Sequence, residues 1–263
     1  MGKLIKFPQI YEQTPEEQAQ DLVYEAWDAV RIPEAKKLAK QALQLDPLCC
    51  DAFNVLANYE KDVDKQIAYY TQAIDAFKMR YDKVFFKENK GYFWGVLETR
   101  PYMRALAGYG GRLMQKNDFV GAIAIYQEAI QLCPNDNLGL RYALLNCLLI
   151  KNDLKAIGKL IKQYDESSFF FECGKLLYSI KNKLSDDVLL ALYIKMKQSN
   201  TFATPYLLGV KKLPKLCPEY YQMGSKEEAM TYLFVGGYQA WVSDENALVK
   251  LKELDLLATS FKK

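Results

Sequence analysis

Apolar positions recur at helical spacing along most of the chain, most clearly between Leu106 and Pro134. Small residues at Gly110, Ala122 and Ala129 sit there among larger ones at Tyr109, Leu113, Tyr126 and Leu132. The spacing predicts two short antiparallel helices: the small residues let the helices approach and the larger ones fill the space between. Pro134 stops the second helix, because proline lacks an N–H and its ring clashes with the preceding turn. The same ending occurs earlier, where Ala35, Ala39, Ala42, Leu45 and Pro47 stand in the places of Ala122, Tyr126, Ala129, Leu132 and Pro134. QALQLDP and EAIQLCP are nearly one heptapeptide, 134 − 47 = 87 residues apart. Between them a further pair is expected, with Ala52, Phe53 and Leu56 on one helix and Ile67, Tyr70, Ala73 and Ile74 on the next. The turn Lys116-Asn117-Asp118 recurs as Lys151-Asn152-Asp153, 35 residues on, and Phe169 to Ile180 with Val188 to Met196 reads as one more amphipathic pair.

Repeated hairpins with these residues resemble the tetratricopeptide repeat (TPR) family. The resemblance implies an all-α solenoid of antiparallel helix hairpins winding into a right-handed superhelix, acting as a scaffold or adaptor that holds a protein or peptide on its inner surface. Since 87 is not a multiple of the usual repeat length of about 34, an irregular insertion is expected, and it is placed at residues 78–102. The organisation predicted is an N-terminal arm over 1–13, repeats over 14–200 broken by that insertion, and a helical C-terminal cap over 201–263.

Local signals support helix boundaries. Thr14-Pro15-Glu16-Glu17 offers an N-cap, a proline at the first helical position and a reciprocating glutamate. Ser225-Lys226-Glu227-Glu228 repeats the arrangement ahead of a helix expected to reach Trp241, and Asn246 to Ala258 reads as the last helix. Thr204-Pro205 opens a short helix that Gly209 can end, and Pro214 and Pro218 predict an irregular crossing over 210–223. The stretches ETRPYMR (98–104), PYLLG (205–209) and the Tyr220-Tyr221 segment leading into Gly224-Ser225 are similar to those of a bacterial TPR subgroup. That likeness extends over nearly the whole chain and implies no reaction.

Composition narrows the function classes. The charge of +3 is a small difference between 35 basic and 32 acidic groups spread along the chain, without the basic stripe of a nucleic-acid binder. No apolar run approaches 18 residues and the start lacks a signal-peptide pattern, so the expectation is a cytoplasmic protein with no membrane partner. The six cysteines form no C-x-x-C pair, which fits a reducing setting. There is no histidine, so Ser-His-Asp and Cys-His catalysis and histidine metal sites are ruled out, and no phosphate-binding glycine loop is present. Neither a cofactor nor a metal is expected. The cluster Gly108-Tyr109-Gly110-Gly111 lies inside a helical pattern and reads as a close helix crossing.

The candidate partner-binding residues follow from two observations. Only six arginines exist and four lie between 100 and 141, where Arg100, Arg104 and Arg141 fall near the starts of inner helices and can grip a carboxylate bidentately. Tyr102, Tyr142 and Asn146 share those helices, and Asn146 is the one residue suited to a carboxylate clamp. The aromatic insertion adds Tyr92 and Trp94 as anchors if they are exposed. The partner expected is a protein or peptide with an acidic or extended segment. Competing readings tie Arg104 and Arg141 to Glu98, Asp136 or Glu128, and fold Phe85, Phe93 and Trp94 under neighbouring helices. Two other functions remain open: an enzyme using Glu98, Arg100 and Tyr102, and a self-associating structural protein.

Overall fold

A computed structural model describes residues 12–213 and 215–260. The protein is all-helical, with no strand among the described residues, and its helices pack in neighbouring pairs. The predicted arm over 1–13 and Pro214 lie largely or wholly outside the described residues. The chain divides into two compact units after Arg112, inside a helix.

The first unit holds α1 (Pro15–Asp28), α2 (Ile32–Leu45), α3 (Cys50–Asn58), α4 (Val63–Arg80), α5 (Lys83–Asn89) and most of α6 (Arg100–Gln115). The predicted capping box opens α1: the Thr14 N–H donates to Glu17 Oε2 at 2.9 Å and the Glu17 N–H to Thr14 Oγ1 at 3.2 Å. Ala19, Val23 and Ala26 of α1, Ala35, Ala39 and Ala42 of α2, and Ala52 and Val55 of α3 are wholly buried together. Side chains this small let three helix backbones approach closely, as the alanine spacing predicts. Pro47 follows the end of α2 as expected, and Asp62 starts α4 by accepting from the Asp64 and Lys65 amides.

The expected insertion is shorter than 78–102. α4 runs on to Arg80, because nothing in Lys78-Met79-Arg80 breaks a helix, and α6 begins at Arg100, with α5 and a 3-10 turn at Leu97–Thr99 between. Tyr81, Phe85, Phe86 and Phe93 fold inward onto Phe77. Phe77 stacks on Tyr102 at 4.7 Å between ring centres, and Phe86 stands edge-on to Tyr102 at 5.4 Å. Phe93, with no exposed surface, closes the cluster. Burying rings of this size contributes about 1.5–3 kcal/mol each. Thr99, also buried, sets its hydroxyl against the carbonyls of Phe93 and Val96. Gly108 is a close crossing: a Cβ there would fall within the Tyr70 ring.

The second unit holds α7 (Phe119–Leu132), α8 (Leu140–Lys151), α9 (Leu154–Tyr164), α10 (Phe169–Lys181), α11 (Asp186–Ser199), α12 (Ala203–Leu207), α13 (Lys226–Tyr232), α14 (Tyr238–Val242) and α15 (Glu245–Ser260). The repeated Asn-Asp turn is one structure used twice. Asn117 and Asn152 both take left-handed backbone, at φ 61° and 56°. Asp118 and Asp153 then cap α7 and α9 by accepting from the amides three residues on. Asparagine tolerates that conformation and aspartate satisfies the open donors of a first turn, so the dipeptide ends one helix and starts the next.

The helix expected from Ser225 to Trp241 is broken. Leu233–Gly237 forms a π turn with Gly236 at φ 92°, a conformation for which glycine supplies the freedom. The expected reciprocal cap there is half formed: Ser225 accepts from the Glu228 amide, but Glu228 turns to the Gly224 amide at 2.7 Å and to Asn200 at 2.9 Å. α15 packs on α11 and α10, while the π turn and α14 pack on α8.

Candidate functional site

The described cleft lies in the first unit and has a volume of about 420 Å³. Glu16, Gln20 and Tyr24 form one wall, four residues apart on the polar side of α1, opposite the buried Ala19–Val23–Ala26 stripe. Asp46 to Asp51, leading into α3, form the floor, with Arg80 and Tyr81 at the end of α4 beside them. Leu97 and Glu98 on the 3-10 turn and Arg100 and Arg104 at the start of α6 complete it. Tyr24 and Leu97, 57% and 67% exposed, present apolar surface at the cleft.

Two of the three cleft arginines are committed internally. Arg80 pairs with Asp46. Arg104 grips Asp51 with two nitrogens, Nε at 3.0 Å, and Asp51, fully buried, also accepts from Asn54 Nδ2 at 2.9 Å. Arg100 differs: its Nε donates to the Trp94 carbonyl at 3.0 Å and its guanidinium lies 5.3 Å from the Trp94 ring centre. Among the described residues no carboxylate pairs with it. The Glu16 backbone amide and the Thr14 hydroxyl hold the Glu16 carboxyl below the usual range. Burial pushes the Cys49 thiol up to about 11, the Cys50 thiol well above its ordinary value and the Tyr81 hydroxyl up as well. Both thiols therefore stay protonated at neutral pH, the unreactive form.

The eight residues singled out from the sequence fall in different settings. Arg100 and Arg104 meet in the cleft. Trp94 is half-buried under Arg100, and Tyr92 is 74% exposed. Tyr102 is wholly buried in the Phe77 cluster, because the insertion folds Phe86 and Phe93 over it, so it leaves the candidate surface and takes no part in a Glu98–Arg100–Tyr102 arrangement. Glu98 is exposed at the cleft.

Arg141, Tyr142 and Asn146 lie in the second unit and face their own chain. Arg141 pairs with Asp136 at 3.0 Å and Glu166 at 2.9 Å, donates to Tyr142 Oη at 2.7 Å, and lies over the Tyr142 and Tyr164 rings. Burial opposes the Arg141 charge, but the bonds to Glu166 and Asp136 outweigh it and raise its pKa, while burial pushes the Tyr164 hydroxyl up to about 12. Asn146 is buried, 2% exposed, and its side chain donates to the Val235 carbonyl at 2.9 Å, so it too leaves the candidate surface.

Sequence reasoning missed Asp46, Asp51, Arg80 and Tyr24. The Glu16-Gln20-Tyr24 spacing was the one signal that could have found a wall of the cleft; the others are brought together by contacts between residues 34 and 53 apart. Chemically, the cleft offers one guanidinium without a carboxylate, exposed carboxylates at Glu16 and Glu98, and apolar surface from Tyr24 and Leu97. Among the described residues no cluster of potential metal ligands occurs, and no helix is long and apolar enough to cross a membrane. No family model matches the chain, and no curated protein matches it.

Proposed function

We propose that the protein is a TPR-type scaffold whose first unit holds an extended segment of a partner protein in the cleft between α1, the start of α3 and the start of α6. The open cleft, with Arg100 lacking a carboxylate partner, carries this reading. In it, Arg100 meets a carboxylate of the partner, side chain or terminal, and the Tyr24 and Leu97 surfaces cover its apolar groups. Guanidinium–carboxylate pairing fixes orientation, while the aromatic surface supplies contact area. Support for the repeat architecture comes from helices that pack on the next helix and the next but one, as α1 does on α2 and α3, and from the duplicated Asn-Asp turn. The work is binding rather than chemistry, and the setting is the cytoplasm.

The test is affinity purification from the native cell with wild-type protein against Arg100→Ala and Tyr24→Ala. One partner recovered by wild type and depleted at least about ten-fold by either substitution is the expected result, since an interface anchor contributes about 1.4 kcal/mol or more. Equal recovery by all three would refute the cleft assignment. Arg104 is unsuited to this test because it supports Asp51.

A further inference from the structure

The segment from Val210 to Met223 joins α12 to α13 and presents apolar side chains to solvent. Val210 is 77% exposed, Leu216 80%, Tyr220 85% and Met223 92%. Lys211, Lys212 and Lys215 stand among them, all exposed, against a single carboxylate at Glu219. Among the described residues none of these lysines forms an ion pair, and the Lys211 ammonium lies 5.9 Å from the ring centres of both Phe202 and Tyr206.

The two ends of the segment are built into the second unit. The Lys211 amide donates to the Pro205 carbonyl at 2.9 Å after the left-handed Gly209, and the Gly224 amide donates to Glu228 at 2.7 Å. Tyr221 lies 6.0 Å from Phe170, ring centre to ring centre. The segment is therefore held at both ends while Leu216 and Tyr220 between them stay exposed. Exposed apolar groups at this density, rimmed by charge, mark an interaction surface.

We propose that residues 210–213 and 215–223 bind the surface of an anionic phospholipid bilayer, with Leu216 and Met223 entering the headgroup–acyl boundary and the three lysines meeting lipid phosphates. The proposal goes beyond the cleft reading and does not depend on it. A bilayer fits better than an acidic protein because side chains exposed this fully stand singly in solvent. A protein partner needs a complementary shape, whereas a fluid headgroup layer accommodates single side chains. The three lysines, none neutralised by a carboxylate, supply the charge complement to an anionic leaflet. Peripheral contact needs no crossing helix, so it is compatible with the helix lengths found, although it departs from the sequence expectation of no membrane partner.

The experiment is sedimentation of the full chain with vesicles of phosphatidylcholine doped with phosphatidylglycerol, against pure phosphatidylcholine vesicles. Wild type is expected to pellet with the anionic vesicles, weakening as salt rises. Each lysine near the surface is worth about five-fold in affinity, so changing Lys211, Lys212 and Lys215 together to Glu should lose about a hundred-fold or more. Each buried methylene is worth about four-fold, so Leu216→Ser with Met223→Ser should weaken binding at unchanged salt dependence. All five positions are exposed, so helical circular dichroism and Tm should stay at wild-type values and confirm folding. No pelleting, equal pelleting with uncharged vesicles, or variants that pellet like wild type would overturn the proposal. Binding to an acidic peptide without binding to anionic vesicles would overturn it too, and assign the surface to a protein.

Discussion

Replacing Arg104 with alanine should unfold the first unit at lower urea, because it strands a buried charge. Asp51 has no exposed surface, and its carboxylate is held by two nitrogens of Arg104 and by Asn54. Removing one member of a fully buried pair costs about 3–5 kcal/mol. The Arg104 side chain keeps 34% of its surface in water, and Asn54 still serves Asp51, so the figure falls to about 2–3 kcal/mol. With a urea dependence of about 2 kcal/mol per molar, the midpoint should drop by about 1–1.5 M. Trp27 and Trp94 report the first unit, and a Trp241→Phe background silences the third tryptophan, in the second unit, so a chain of two units need not unfold in one step. Asp51→Asn added to Arg104→Ala should recover part of the loss, because a neutral amide can stay buried beside Asn54; the cycle should give a coupling of about 1–2 kcal/mol. An unshifted midpoint in Arg104→Ala, or strictly additive effects in the double variant, would refute the view that this arginine holds the cleft floor.

Gly108→Ala should lower stability by about 1–3 kcal/mol, because the new methyl meets the Tyr70 ring, whose hydroxyl is held by Asn58; thermal unfolding checks it, and a Tm at or above wild type would mean the helices separate freely there. Asp255 gives a pH dependence. Burial pushes its carboxyl up, but hydrogen bonds from Lys197 and Tyr193 outweigh this and leave it below the ordinary 3.8. A lowered carboxyl contributes stability that is complete above 3.8 and lost as the pH falls through the folded-state value. Asp255→Asn should therefore melt below wild type at neutral pH, with the gap closing in acid; a gap independent of pH would exclude the ion pair as its source.

The repeated elements were legible because their chemistry is local. The Asn117-Asp118 and Asn152-Asp153 turns each end one helix and start another with two adjacent residues, and the Thr14–Glu17 box works within a single turn. The alanines of α2 and α7 were readable for a similar reason: only small side chains at that spacing let the backbones close in. The cleft was less legible. Arg104 and Arg141 were placed near helix starts from sequence, but what they do depends on Asp51, 53 residues before one, and Glu166, 25 after the other. No local pattern distinguishes an arginine bound to its own chain from one offered to a partner. Tyr102 looked like a surface anchor because the path of the insertion, which lays Phe86 and Phe93 over it, is set by tertiary packing. The break in the 225–241 helix has a visible cause in Gly236, which takes positive φ there.

The bond from Asn146 to Val235 spans 89 residues, and this has a consequence for how the protein is made. At a synthesis rate of about 5–20 residues per second, the α8 surface that the π turn covers waits roughly 5–20 seconds after leaving the ribosome before its cover arrives. Phe169 and Phe170, which meet Tyr232 edge-on, wait about two-thirds as long. A message cut short before Ser225 would yield a product with that oily surface permanently bare, prone to clump and be degraded, even though helices α7 to α11 would all have been translated.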